Sequence, residues 1–104
     1  MYFTNGSTLD RGSREMLKDV AALMKEYPAL KLEVQGHVSP SGNAGTDHAV
    51  STAQARSVAQ TLMHSGVSSD RVTFRGYGSD FPVAPNDSPI GRARNQRIDL
   101  VLMQ

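Results

Sequence analysis

The sequence predicts a two-layer α+β domain in which two main helices cover one face of a mixed sheet. Strand-like and helix-like segments alternate along the chain in the order βαβαβ, followed by a short helix and a last strand. The middle strand candidates alternate polar with apolar residues, whereas strands covered on both faces read as continuous apolar runs. One face of the sheet is therefore expected to carry both helices and the other to face water.

The chain of 104 residues suits one domain with one modest core. It is 38% hydrophobic and 20% charged, with a net charge of +1, which is too small to indicate nucleic-acid binding. The absence of cysteine excludes a disulfide framework and a thiolate metal site. No apolar run is long enough to insert in a membrane. The opening residues are typical of a strand interior, so we expect residues 1–104 to be one domain of a longer protein.

The first half of the chain gives a strand, a helix and a second strand. Residues 2–4 form a short strand candidate that ends at the turn residues 5–7. From Ser13 to Tyr27, apolar residues recur at helical spacing, and Pro28 stops the helix. Residues 30–35 then alternate in the manner of a strand with one buried face.

A polar, glycine-rich stretch follows this strand and is the region where we expect the function. We predict a loop of about fifteen residues after Gly36. Loops of that length in a compact domain are usually functional, so we expect a binding site here. Ser51 to Gln54 has the pattern of a capping box, which predicts a helix over 52–64 with Gly66 at its end. A helix start at this place would favour binding of a carboxylate or a phosphate.

The last third of the chain predicts two strands joined by a long connection. Residues 71–75 alternate with Val72 and Phe74 on one face, and residues 76–86 are rich in turn residues. Ser88 and Pro89 are a cap and a first helical residue for a short helix through the arginines. Ile98, Leu100 and Leu102 then share one face of the closing strand. The two strand-helix-strand units predict parallel neighbouring strands.

Three kinds of functional site explain these residues less well than plain structural roles do. Ser39 as a nucleophile lacks a visible base, and His37, Asp47 and His48 match no familiar zinc spacing. Gly76-Tyr77-Gly78 lacks the third glycine and the helix of a dinucleotide site. No enzyme activity, metal or cofactor is therefore expected. Arg92, Arg94 and Arg97 either line a pocket or form a solvated turn that pairs with Asp87 and Asp99.

Four motifs in order resemble the OmpA-like C-terminal domain family over residues 3–102. They are the run VQGHVSPSG, the helix start AVSTAQARSV, the segment RGYGSDFPVAPN and the closing GRARNQRIDLVL. The resemblance implies a periplasmic, two-layer domain of a Gram-negative envelope protein that binds peptidoglycan non-covalently by the diaminopimelate of its stem peptide. It also implies that the parent protein is tethered to a membrane through parts outside these residues, and that envelope proteins are possible partners.

The resemblance places the ligand site at seven residues of this chain. They are His37, Ser39, Asp47, Ser51, Gln54, Asn95 and Arg97. In the family pattern an aspartate stands at the position of Ser39 and holds the ligand ammonium, and an arginine at the position of Gln54 holds its carboxylate. Asp47 takes the place of a common asparagine, and Gln96 interrupts the closing Asn-Arg-Arg. We therefore expect weakened binding or an altered ligand preference, or a domain that acts as a protein scaffold in a secretion system or motor without binding peptidoglycan.

Overall fold

The computed structural model describes residues 3–5, 8–9 and 11–103 of the chain. The helices and strands are, in order, β1 (Phe3–Asn5), β2 (Thr8–Leu9), α1 (Arg11–Glu26), β3 (Lys31–His37), α2 (Ala44–His64), β4 (Val72–Gly76), α3 (Pro89–Asn95) and β5 (Arg97–Met103). A 3-10 turn at Ser69–Arg71 precedes β4. The first predicted strand corresponds to β1, while Tyr2 and the predicted turn residues Gly6 and Ser7 lie outside the described residues.

Helix α1 forms because its apolar residues lie on one side at helical spacing. Leu17, Ala21 and Met24 are buried in the core, and Pro28 lies just beyond the helix end. The C-terminal turn is also held by Arg71, whose guanidinium donates to the carbonyls of Met24, Tyr27 and Leu30. The helix therefore has a fixed end beside the start of β4.

Helix α2 is the longest element and lies against both parallel strands. Its buried apolar residues Val58, Ala59 and Leu62 follow the predicted helical face. Gly66 has φ +102° directly after the C-terminal cap, which confirms the predicted left-handed glycine at this end. A side chain at this position would be strained.

The main sheet has three strands in the order β4-β3-β5. β3 pairs in parallel with β4 and antiparallel with β5, so the sheet is mixed and the second predicted strand-helix-strand unit is confirmed. The predicted parallel pairing of the first strand-helix-strand unit is wrong, because β1 pairs antiparallel with β2 in a separate two-stranded sheet. β2 is short, and alternation did not reveal it.

The two faces of the sheet differ as the alternation predicted. Leu32 and Val34 are buried beneath the helices, whereas Glu33 and Gln35 are partly exposed on the other face. The core joins residues from α1, α2, the three strands and the connection after α2: Leu17, Ala21, Met24, Leu32, Val34, Ala55, Val58, Ala59, Leu62, Val67, Val72 and Ile98. Of the residues predicted to share one face of β5, Ile98 is buried but Leu102 is 61% exposed, so only the first part of this strand lies in the core. Phe74 on β4 is likewise 37% exposed rather than buried.

Candidate functional site

The sheet topology brings the predicted site residues to one edge. β3 and β4 run in parallel, so their carboxyl ends lie together, and antiparallel β5 begins at the same edge. In the register, His37 lies opposite Arg97 and Gly36 lies opposite Gly76. The loop after β3, the connection after β4 and the end of α3 therefore surround one region.

The loop between β3 and α2 is shorter than predicted. Helix α2 begins at Ala44, so only residues 38–43 connect the two elements. Asn43 is the N-cap, and its side-chain oxygen accepts a hydrogen bond from the Thr46 amide at 3.0 Å. The predicted capping box at Ser51 to Gln54 is wrong, because both residues lie inside the helix.

Ser51 instead joins α2 to the turn after β4. It is fully buried; its hydroxyl donates to the His48 carbonyl at 2.9 Å and accepts from the Gly78 amide at 2.9 Å. A Cβ on Gly36 would collide with the Ser51 carbonyl, and one on Gly76 with the Thr52 amide. The α2 backbone thus lies directly on the ends of both parallel strands, which requires glycine in each strand.

Asp47 fixes the loop to the first turns of α2. Its carboxylate is buried, with the residue 5% exposed, and it accepts from the Ser41 hydroxyl at 2.6 Å and from the Ser41 amide at 3.2 and 3.3 Å. Within residues 11–103, no lysine or arginine forms a salt bridge with it. Hydrogen bonds to a carboxylate are stronger than neutral ones, so this contact gives the loop a defined shape.

Ser39 and Gln54 stand at the two positions where the resemblance implied charge. Ser39 is half-buried, and its hydroxyl accepts from Gln96 Nε2 at 3.2 Å, which links the loop to the residue between α3 and β5. Gln54 is half-buried on α2. It follows Asp47 by two helical turns, so the two side chains leave the helix on the same side.

Asn95 organises the connection between β4 and α3. It is 1% exposed, and its side-chain oxygen accepts from the amides of Val83 and Ala84 at 2.7 and 3.0 Å. Its side-chain nitrogen donates to the Ala84 carbonyl and to Asn86 Oδ1 at 2.9 and 2.6 Å. All of these bonds lie within the protein, so Asn95 holds the connection between β4 and α3 in place.

Arg97 is also engaged within the protein. Its guanidinium donates to Asp99 Oδ2 at 3.2 Å, to the Phe81 carbonyl at 3.2 Å and to the Asn95 carbonyl at 3.4 Å. Only 11% of its side chain is exposed. Of the two interpretations of the arginines, pairing with Asp99 is therefore correct for Arg97, while Arg92 donates to the Asn86 carbonyl at 3.0 Å.

His37 lies in an aromatic cluster on the helix-free face. Its ring stacks on Tyr77 with centroids 5.4 Å apart, and Phe81 approaches edge-on at 6.4 Å. Both ring nitrogens are buried without a hydrogen-bond partner, and Nε2 lies 3.6 Å from Asp99 Oδ2. Burial lowers the pKa of His37, and the nearby Arg97 charge lowers it further, whereas Asp99 opposes both. The imidazole is therefore kept neutral near pH 7.

Sequence reasoning missed three residues of this frame: Ser41, Asn43 and Gln96. An asparagine before an apolar helix is a known start signal, so Asn43 could have been found. The Ser41–Asp47 and Ser39–Gln96 contacts leave no local pattern.

In the part of the chain that the structure describes, no cluster of His, Cys, Asp or Glu side chains is suited to a metal ion. Nor does any helix in that part have the length and apolar character required to cross a membrane.

Comparison with known proteins decides the family. Residues 1–96 match the OmpA family. The chain belongs to this family. It is also 33% identical over 101 residues to the peptidoglycan-binding protein ArfA of Mycobacterium tuberculosis, covering 97% of this chain and 31% of ArfA. This OmpA-family domain thus spans about a third of that relative.

Solved structures show the same fold. The peptidoglycan-associated lipoprotein of Burkholderia pseudomallei superposes with a TM-score of 0.90 at 24% identity, over 99% of this chain and 86% of that one. A periplasmic domain of Helicobacter pylori MotB gives a TM-score of 0.83 at 22% identity, over 97% and 69% of the two chains. At these identities the likeness establishes the two-layer α+β fold alone.

The comparisons bear on two sequence-based expectations, the family and the fold class. The predicted family and fold class are confirmed. The relatives and structures named above are a peptidoglycan-binding protein, a peptidoglycan-associated lipoprotein and a periplasmic MotB domain.

Proposed function

We propose that this domain binds peptidoglycan non-covalently and anchors a longer envelope protein to the cell wall. Its membership in the OmpA family and its likeness to a named peptidoglycan-binding protein support this function. The observation that carries the proposal is the ordered corner formed by the loop 38–43 and the start of α2. In this corner Ser41 orients the buried Asp47 carboxylate. A tether to a membrane would come from parts of the parent protein outside these residues.

The ligand in this proposal is the diaminopimelate of the stem peptide. Asp47 is the buried acid of the described residues and is the group best suited to attract the ligand ammonium. Ser39 and Gln54 form the wall of the pocket along the loop and α2, and the fully buried Ser51 supports this wall from inside the protein. His37, Asn95 and Arg97 support the wall from the sheet edge, because the described contacts of Asn95 and Arg97 are to other parts of the protein.

The proposed binding is weaker or differs in ligand preference from that of a site with two charged groups. Hydrogen bonds to charged groups contribute about 1.5–3 kcal/mol each, against about 1 kcal/mol for neutral ones. Replacing both the aspartate and the arginine of the family pattern with Ser39 and Gln54 would therefore weaken binding by roughly a hundredfold. Asp47 compensates for part of this loss.

Pelleting with purified peptidoglycan sacculi tests the function. We expect the unaltered domain to pellet weakly and the double variant Ser39→Asp, Gln54→Arg to pellet more strongly, since it supplies both charges at the same pocket. The variant Ser68→Asp, Gln60→Arg is the matched control. It makes the same two chemical changes at exposed positions, one just before the 3-10 turn and one in the later part of α2.

The proposal fails on two joint results. One is that neither the domain nor the Ser39→Asp, Gln54→Arg variant pellets above the background measured without sacculi. The other is that millimolar muropeptide leaves the amide resonances of residues 36–56 unchanged. Loss of pelleting in the double variant with a preserved spectrum would show that the pocket is placed elsewhere.

A second candidate function is a protein scaffold within an envelope complex, such as a secretion system or a motor. It is favoured by the satisfaction of Asp47, Asn95 and Arg97 within the protein, which leaves these groups bonded in the absence of a ligand. This function predicts that the domain stays in its complex when cell envelopes are solubilised and yet does not pellet with sacculi. Pelleting of the isolated domain would exclude it as the sole function.

A further inference from the structure

We propose that the pocket prefers a stem peptide whose diaminopimelate carries a neutral carboxamide in place of a free carboxylate. This inference rests on the proposed function and adds the chemical class of the group that is recognised. It follows from the charges, the contacts and the hydrogen-bonding capacity of the residues around the loop.

The side chains of the loop and of the first turn of α2 carry no positive charge that could pair with a carboxylate. Residues 38–43 contain no ionisable side chain, and the first turn of α2 contributes only Asp47. The partner of Asp47 is the neutral Ser41, so the negative charge of this corner is not cancelled by a nearby ion pair. A ligand carboxylate would be repelled by Asp47, which opposes the attraction of the helix N-terminus, whereas a neutral carboxamide would not be repelled.

Arg97, the arginine expected at the site, is not available to a carboxylate. Its guanidinium is shared among Asp99 and the carbonyls of Phe81 and Asn95, and its side chain is 11% exposed. Turning Arg97 toward a ligand would leave Asp99 without its close partner and remove a support of the connection after β4. The cost of breaking these bonds would offset the gain from a new ion pair.

The pair formed by Ser39 and Gln96 matches a carboxamide. The Ser39 hydroxyl accepts from Gln96 Nε2, so its own proton can be donated outward. Gln96 is exposed, and its amide carries a carbonyl acceptor beside its second N–H. A carboxamide has both a donor and an acceptor and can complement this pair. A carboxylate has acceptors only, so it could accept from the Ser39 hydroxyl and the second Gln96 N–H but would leave the Gln96 carbonyl without a donor.

Two muropeptides test the preference. They are identical except that the side-chain carboxyl of diaminopimelate is free in one and amidated in the other. Amide resonances of residues 36–56 in the isotopically labelled domain are followed during each titration. We expect the amidated form to bind about tenfold more tightly, because it gains one hydrogen bond with the pair and avoids the repulsion between the free carboxylate and Asp47.

A charge variant links the preference to this pair. Gln96→Arg supplies a cation beside Ser39, so we expect it to tighten binding of the free acid and to reduce or reverse the preference. The gained affinity should fall with added salt, as expected of an exposed charge. Gln60→Arg makes the same change at an exposed α2 position and should leave the ratio of the two affinities unchanged.

The results separate this inference from the proposed function. Equal or tighter binding of the free acid by the unaltered domain overturns the carboxamide preference and leaves peptidoglycan binding intact. An unchanged ratio in Gln96→Arg overturns the assignment to the Ser39–Gln96 pair. If neither muropeptide moves the resonances, the proposed function fails and the preference fails with it.

Discussion

Two buried polar residues near one end of the sheet have opposite surroundings. Asp47, at the corner of the loop and α2, receives bonds from both the hydroxyl and the amide of Ser41. His37, on the helix-free face, has no hydrogen-bond partner for either ring nitrogen. The corner is thus built on satisfied polar contacts and close backbone packing, whereas the His37 cluster depends on ring stacking. We expect the corner to contribute more to stability and the cluster to respond more to pH.

The largest expected loss of stability comes from a substitution at the close contact between β3 and α2. Gly36→Ala places a methyl group against the Ser51 carbonyl, so β3 and α2 must separate. We expect a loss of about 3 kcal/mol in the free energy of unfolding, measured by urea denaturation. Gly45→Ala is the control, because its Cβ would lie at an ordinary 3.4 Å from Asn43 Oδ1 in a helix that favours alanine. A comparable loss in both variants would contradict the role given to the Gly36 contact.

A second change removes the support beneath the connection after β4. Asn95→Ala leaves the amides of Val83 and Ala84 without their acceptor, and we expect a loss of about 2–3 kcal/mol in stability. Hydrogen exchange at these two amides should accelerate more than exchange in β3. Unchanged protection of both amides would show that the connection does not depend on Asn95.

A smaller effect measures the contact that orients Asp47. Ser41→Ala removes the 2.6 Å hydroxyl bond to the carboxylate, and we expect a cost of about 1–2 kcal/mol. In a double-mutant cycle with Asp47→Asn, a coupling free energy of about 1 kcal/mol is expected between the two residues. Additive effects of the two changes would mean that they act independently.

The smallest effect concerns His37 and is visible only as a pH dependence. The pKa of His37 is lowered in the folded protein, so the unfolded chain takes up a proton first as the pH falls. The contribution of neutral His37 is complete above its ordinary pKa of about 6.5 and is lost as the pH falls from there through the lowered value. His37→Phe keeps a ring against Tyr77 and cannot titrate.

Urea denaturation between pH 5 and pH 7.5 measures this difference. We expect the stability of His37→Phe to fall less steeply toward low pH than that of the unaltered domain. Equal slopes would mean that Asp99, at 3.6 Å, stabilises the protonated ring enough to cancel the effect of burial.

Local patterns predicted the elements well and the site less well. Pro28, Gly66 and the Ser88–Pro89 pair marked real helix boundaries, because each acts through its own backbone geometry. The capping-box pattern at Ser51 to Gln54 failed for an equally physical reason. The same side chains can cap a helix start or lie within a helix, and tertiary contact with Gly78 selected the second role for Ser51.

The sequence by itself determined the family and the two-layer fold. It also showed that Ser39 and Gln54 are uncharged where the family pattern has an aspartate and an arginine. Alternation and ordered motifs are local properties, so they can be read from the sequence. Only the tertiary structure decided where α2 begins, how the strands are ordered and which site groups are already bonded. The deciding contacts join distant parts of the chain, such as Ser39 with Gln96 across 57 residues and Ser51 with Gly78 across 27. Such contacts depend on which strand ends lie together at the edge of the sheet, and local sequence patterns do not predict this.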